Sequence, residues 1–191
     1  SIMAAVTPDE KPYFAASAWE HARHRVVWLL ILMLSAAITG SIITRYEDAI
    51  SAVPLLVAFL PMLMDTGGNC GSQSSTLVIR GISVGEIEFG DLFRVIFKEI
   101  RVAILISLIL SVVNGIRIIV MGQGDALVAL TIGLTMACTI VIAKVVGCTL
   151  PLVAEKIGLD PAIMATPLIS TLVDISTISV YFAIVSAVFS L

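Results

Sequence analysis

Two aspartates, Asp65 and Asp174, lie well inside long apolar stretches of the sequence. A charged aspartate near the middle of a membrane-spanning helix costs roughly 2.5–3.5 kcal/mol even on lenient insertion scales. Such a side chain therefore needs water, a bound cation or a hydrogen bond from a neighbouring helix. For each aspartate two interpretations stay open at this point, an ion-binding group and a structural hydrogen bond between helices.

Both aspartates belong to rows of polar residues at helical spacing. The row in the later segment consists of Thr166, Ser170, Asp174 and Thr177. The row in the earlier segment consists of Asp65, Gly68, Ser72 and Thr76, flanked by Asn69 and Gln73. Residues three and four positions apart share one face of a helix, so each row forms a polar stripe on an otherwise apolar helix. We expect two such stripes to line one aqueous path.

The oxygen atoms of these stripes suit a hard cation better than a soft metal. Two acids in a chain cannot supply the six to eight oxygens that dehydrated calcium takes, whereas magnesium keeps several waters and binds through one or two carboxylates. His21 and His24 are expected at the membrane interface rather than as ligands. The sequence therefore predicts Mg²⁺ as the ion, with Mn²⁺, Co²⁺ and Ni²⁺ as surrogates.

One central acid lines a pore poorly. A two-fold homodimer would bring two copies of Asp174 together across the axis, joined by backbone carbonyls such as that of Ser170. The two carboxylates would repel each other when the site is empty, and a divalent cation would relieve that repulsion. We therefore expect a pore at or near the two-fold axis.

The elements that must position these residues are membrane-spanning helices. Of the 191 residues 59% are hydrophobic and 13% are charged, about half the charged share of a soluble domain. The long apolar runs lack the alternation of barrel strands, so we expect an all-α integral membrane protein. Five spans are predicted, at residues 26–44, 49–80, 102–121, 126–150 and 161–191. Kinks are expected at Pro54 and Pro61, and close backbone approach or unwinding at the glycines from Gly67 to Gly71.

The distribution of basic residues predicts the orientation. Nine of the eleven lysines and arginines fall on one side of the predicted membrane, and only Arg45 and Arg117 fall on the other. The positive-inside rule then places the N-terminus in the cytoplasm and the C-terminus outside. Lys144 is expected to extend to the inner interface, and Asp91 to cap a short amphipathic helix lying on the membrane.

The run from Pro61 to Gly81, PMLMDTGGNCGSQSSTLVIRG, closely resembles the signature of the MgtE magnesium channel family. The likeness extends to residues 165–174, ATPLISTLVD, and covers essentially everything from residue 26 onward. The resemblance implies a homodimeric magnesium channel of the plasma or inner membrane, gated by cytosolic magnesium-sensing domains that this chain lacks. Residues 26–191 would form its five-helix pore domain, and residues 1–25 a juxtamembrane helix like the one that plugs the family's pore.

Carried over by position, Asp174 resembles the family's central ion-binding acid and Ser170 the carbonyl one turn earlier. Asp65, Gly68, Ser72 and Thr76 resemble its pore-lining face. Thr166 and Ser72 stand where some members carry asparagine near the cytoplasmic mouth, which leaves the chemistry of the inner gate open.

Other functional classes are weighed against this one. The family has eukaryotic solute-carrier relatives, which keeps a sodium- or proton-coupled divalent cation transporter open as the alternative. An enzyme is not expected, because the sequence has no zinc-protease motif and no serine or cysteine paired with an intramembrane histidine. Nucleic acid is not expected as a partner, because no basic patch is present. The lipid bilayer, a second copy of the chain and divalent cations are the expected partners.

Overall fold

The computed structural model describes residues 14, 17–46, 54–164 and 167–189, and this part of the chain contains helices and no strand. Short 3₁₀ turns precede three of the helices, at Pro54–Phe59, Phe89–Asp91 and Pro161–Met164. The five α-helices are α1 (Ala18–Arg45), α2 (Leu60–Ser83), α3 (Leu92–Val120), α4 (Ala126–Lys156) and α5 (Pro167–Phe189). The predicted all-α fold is confirmed for the described residues.

Three helical segments in this part of the chain are long and apolar enough to cross a membrane, namely Phe89–Val120, Ala126–Lys156 and Leu168–Phe189. The apolar portion of α1 is shorter, Leu29–Arg45. Helix α2 has 24 residues, about 36 Å of helix, but its glycine, serine, threonine and amide residues lower its hydropathy. Five spans and their orientation therefore stay a prediction.

Several helix boundaries differ from those expected. A capping box formed by Ser17 and Glu20 starts α1 at Ala18, and the helix continues without a break past residue 25. The segment expected at 49–80 is divided, because its described part begins with the 3₁₀ turn and α2 starts only at Leu60. The proline-rich entry thus becomes a separate turn and not a kink within one long helix.

The amphipathic stretch after Asp91 is the first part of α3 and not a separate interfacial helix. The carboxylate of Asp91 accepts a hydrogen bond from the backbone N–H of Glu88 at 3.3 Å, and it does not cap α3. Helix α4 likewise extends through Pro151 to Lys156, six residues beyond the expected end. Neighbouring helices support a proline inside a membrane helix, which makes proline a weaker stop signal there than in a soluble protein.

Helix α4 lies at the centre of the bundle, where it packs against α2, α3 and α5, while α1 packs mainly against α5. Glycines let α2 approach its neighbours closely. A Cβ on Gly147 of α4 would overlap the backbone carbonyl of Gly71 on α2. The expected close approach is confirmed, and α2 stays helical through its glycines.

One end of the bundle is joined by aromatic side chains. The hydroxyl of Tyr181 on α5 donates to the backbone carbonyl of Leu56 at 2.7 Å. The ring of Phe182 stacks on that of Tyr46, with centroids 4.5 Å apart. These contacts attach the turn before α2 and the end of α1 to α5.

Replacing Gly147 with alanine is expected to destabilise the bundle, because the added methyl group would meet the α2 backbone, which cannot rotate away. We expect a loss of about 1–3 kcal/mol, as for other overpacked interiors. The measurement is the thermal stability of the detergent-solubilised protein. Gly115→Ala is the matched control, since a Cβ there meets nothing within 4 Å. Equal stability of the two variants would contradict the close α2–α4 contact.

Candidate ion-binding site

Asp174 lies about two turns from the start of α5 and is half-buried. It lines a cavity of about 250 Å³ between α1 and α5. The other lining residues are Leu32, Ser35, Ala36, Thr39, Ser170 and Thr171. The side chain of Asp174 therefore points neither into a dry helix contact nor fully away from the protein.

No described side chain makes a hydrogen bond or an ion pair with the Asp174 carboxylate, whereas Glu99 of α3 pairs with Lys144 of α4. The hydroxyl of Thr39, on the opposite wall of the cavity, donates to the backbone carbonyl of Ser35 at 3.3 Å. A purely structural role for Asp174, as a hydrogen bond between helices, would need a partner side chain. None lies among the described residues. A carboxylate in such a place requires water or a cation.

The earlier polar stripe forms an exposed edge on α2. Asp65, Asn69, Gln73 and Thr76 are exposed and Ser72 is partly exposed; we call these five residues the polar edge of α2. Four of them border an open groove of about 610 Å³ together with Leu77. The hydroxyl of Thr76 donates to the backbone carbonyl of Ser72 at 2.9 Å, so the edge offers amide and carboxylate groups to whatever lies beside it.

Two residues of the expected stripes lie inside the bundle instead. Gly68 is buried, and a Cβ placed on it would lie 3.3 Å from Oγ and 3.7 Å from Cβ of Ser170. Thr177 is 1% exposed, faces Gly67, and its hydroxyl has no hydrogen-bond partner among the described residues. Helical spacing alone places a residue on a face, but it does not tell whether a neighbouring helix covers that face. Thr166 lies outside the described residues.

Within a single chain, the structure brings Ser170 next to Gly68 and next to the Asp174 cavity. That cavity is lined by α1 and α5, whereas the groove beside the polar edge is lined by α2 alone. The described residues contain no group of three or more His, Cys, Asp or Glu side chains placed to hold a metal ion. One chain therefore supplies a single carboxylate at this position and not a complete set of ligands.

A second charged site lies inside the bundle and was not expected from the sequence. Lys144, expected at the inner interface, is 3% exposed and pairs with Glu99 across the α3–α4 contact. Its ammonium group is held inside the bundle by Glu99 and Ser74 and does not extend outward. The expectation was wrong because Glu99 lies within α3, next to Lys144, and supplies a buried counter-charge. The signal in the sequence that could have indicated this ion pair is an acidic and a basic residue in two helices that follow each other along the chain.

The contact between Gly68 and Ser170 is testable by cross-linking. In a background with Cys70, Cys138 and Cys148 replaced by alanine, the pair Gly68→Cys and Ser170→Cys should oxidise to a disulfide, because the Cβ separation is typical of one. Loss of two maleimide-reactive thiols at unchanged monomer mass on a denaturing gel would demonstrate it. The pair Gly40→Cys and Ser170→Cys is the control, since a Cβ on Gly40 meets nothing within 4 Å. A covalent dimer, or no reaction, would contradict the intrachain contact.

Comparison with known proteins supports the resemblance to the MgtE family. The family model described as MgtE, divalent cation transporter, matches residues 60–184. The magnesium transporter MgtE of Bacillus subtilis is 37% identical over 182 residues, covering 95% of this chain and 39% of that protein. The magnesium transporters MgtE of Thermus thermophilus and Enterococcus faecalis are 35% and 32% identical, over 84% and 93% of this chain.

The chain spans 39%, 35% and 38% of the lengths of these three relatives. A family of transporters also agrees with the expectation that the chain is not an enzyme. Since the family model matches more than half of the chain, the protein belongs to the MgtE family of divalent cation transporters.

Proposed function

We propose that this chain forms one half of a dimeric magnesium channel, in which hydrated Mg²⁺ passes through a pore centred on Asp174. The observation that carries the proposal is the Asp174 carboxylate, half-buried in a cavity and without a cation or donor among the described residues. Relatives with 32–37% identity are magnesium transporters, which supports magnesium as the ion. Mn²⁺, Co²⁺ and Ni²⁺ would act as surrogates.

A second copy of the chain would complete the site. One chain brings a single acid to the cavity, and a two-fold axis near α5 would place two Asp174 carboxylates opposite each other. Backbone carbonyls such as that of Ser170 would add oxygen ligands. Two acids balance the charge of one Mg²⁺, and the ion would keep most of its water, since magnesium dehydrates reluctantly.

The polar edge of α2 would line the same pore. Asp65, Asn69, Ser72, Gln73 and Thr76 present oxygen and nitrogen atoms along about three helical turns, and no described helix covers them. Such an edge is unfavourable against lipid and favourable against water. Gly68 would let α5 approach this edge closely, and Thr166 would extend the polar row of α5, whereas Thr177 is buried against α2 and would not face the pore.

In this proposal all five helices cross the membrane. Exposed apolar side chains along α1 and α3, such as Leu34, Leu105 and Leu108, would face lipid or the second copy. The N-terminus would be cytoplasmic and the C-terminus outside, with residues 1–25 as a juxtamembrane segment and 26–191 as the pore domain. Cytosolic magnesium-sensing domains would belong to the full-length protein, located in the plasma or inner membrane.

Asp174→Asn tests the ion site. We expect the apparent Mg²⁺ affinity of flux into liposomes to fall by roughly ten-fold or more, because a contact to a charged group contributes about 1.5–3 kcal/mol. Ser179→Ala is the control on the same helix, since its hydroxyl bonds only to the carbonyl of Ile175. Asp65→Asn tests separately whether the second acid contributes to the apparent Mg²⁺ affinity. Unchanged affinity in Asp174→Asn would remove this residue from the ion path.

The alternative is a sodium- or proton-coupled divalent cation transporter. A channel should carry Mg²⁺ down its own gradient in liposomes with equal sodium concentration and equal pH on both sides. We therefore expect the initial rate to stay the same when a sodium or proton gradient is added. Flux that appears only with one of these gradients would favour coupled transport over the channel.

A further inference from the structure

A cluster of three buried side chains joins the helices on the side of α2 opposite to its polar edge. Lys144 of α4, Glu99 of α3 and Ser74 of α2 are 3%, 9% and 0% exposed. The ammonium group of Lys144 donates to Ser74 Oγ at 3.0 Å and lies 3.4 Å from Glu99 Oε2. The hydroxyl of Ser74 in turn donates to the same carboxylate oxygen at 2.5 Å.

The geometry is that of a small cation held by oxygen atoms. The ammonium group sits between a carboxylate oxygen of α3 and a hydroxyl oxygen of α2. It belongs to a lysine on a third helix, α4. A hard monovalent ion such as sodium takes ligands of these same types, and its single charge would balance Glu99 as Lys144 does. A divalent ion would leave an excess positive charge in the apolar interior, which is costly.

Water can reach this position. Glu99 and Lys144 border a cavity of about 550 Å³ between α2, α3 and α4. Charged side chains from the segment before α3 and from its first turns also line the cavity: Glu86, Asp91, Arg94 and Lys98. A free ion could therefore reach Glu99 if the lysine side chain were shortened.

We propose that Lys144 is a built-in cation, occupying an oxygen-lined monovalent cation site formed by Glu99 and Ser74. The occupant is covalently attached, so the filling of the site does not depend on the ion concentration in solution. In this respect it replaces the second ion that a coupled transporter would have to bind. The inference rests on the proposed function, because it gives a physical reason for transport without a coupling ion.

The position of Ser74 on α2 links this site to the pore. Ser74 is about 180° from Asp65 and about 160° from Thr76 around the helix axis. The cluster therefore holds the back of α2 while the front carries the polar edge. A permanently filled site would keep that edge in one rotational position, whereas an exchangeable ion would let the position vary with ion binding.

The test is the thermal stability of detergent-solubilised Lys144→Met in sodium chloride against choline chloride, at constant ionic strength and pH. The variant keeps Glu99 and Ser74 and removes the ammonium group. We expect the wild type to unfold at the same temperature in both salts. The variant should be less stable in choline and gain roughly 2–6 °C in about 200 mM sodium, as expected for an ion that binds only the folded state.

The double variant Glu99→Gln/Lys144→Met is the matched control. It removes both charges, so its unfolding temperature should not respond to sodium. A folded Lys144→Met protein without a sodium response would overturn the proposal, and so would an equal response in the double variant. A stability that changes with pH but not with sodium would show that Glu99 takes up a proton instead, and would also overturn it.

A variant that fails to fold is informative as well. Lys144→Gln keeps a hydrogen-bond donor for Ser74, and both single variants can be expressed and purified in either salt. Recovery of folded protein in sodium but not in choline would support the site, while failure in both salts would overturn it. None of these measurements involves magnesium flux, so their failure is distinct from that of the proposed channel.

Discussion

A charge inside an apolar helix bundle must be neutralised within a few ångströms, and this constraint organises the protein. Among the described residues two acids lie within the bundle, the buried Glu99 and the half-buried Asp174, and they meet the constraint in different ways. Glu99 is neutralised by Lys144 and by the hydroxyl of Ser74. Asp174 lines a cavity and has no such partner among the described residues. In one case the chain carries its own cation, and in the other the carboxylate depends on water or, as we propose, on a bound Mg²⁺.

The two sites depend on the same helix. Helix α2 contributes Ser74 to the ion-paired cluster and its polar edge to the opposite side. Glycines on α2 allow this arrangement, because they let the helix lie close to α4 and α5 along a narrow seam. A helix with larger residues in the seam would stand further from Glu99 and from Ser170. Close packing is therefore a condition for both the buried charge pair and the candidate ion site.

Helix α4 provides the framework for this packing. Half of its apolar span is buried by other helices, more than in the other spans. It carries Lys144, its partners α2, α3 and α5 carry the other groups discussed for ion binding and for the charged cluster, and α1 contributes the outer wall of the Asp174 cavity. Large apolar side chains remain exposed on α1 and α3, as expected for surfaces that meet lipid or another protomer.

The sequence by itself determined the helical class, the membrane environment, the family and the two polar rows around Asp65 and Asp174. These follow from composition and local spacing, since an apolar run fixes a helix and a period of three or four residues fixes a face. The close approach at the glycines between Gly67 and Gly71 could also be predicted from the sequence, because small residues permit contact between helices in a membrane.

Only the tertiary structure decided which neighbour covers each face. It placed Gly68 and Thr177 in the interior although they share the spacing of the exposed polar residues. It also placed Lys144 beside Glu99, because α3 begins at Leu92 and therefore carries Glu99 into the bundle. The physical reason is that a side chain's burial and its counter-charge depend on helix length and on which helices are adjacent. Both are properties of the packed bundle, and local sequence spacing does not contain them.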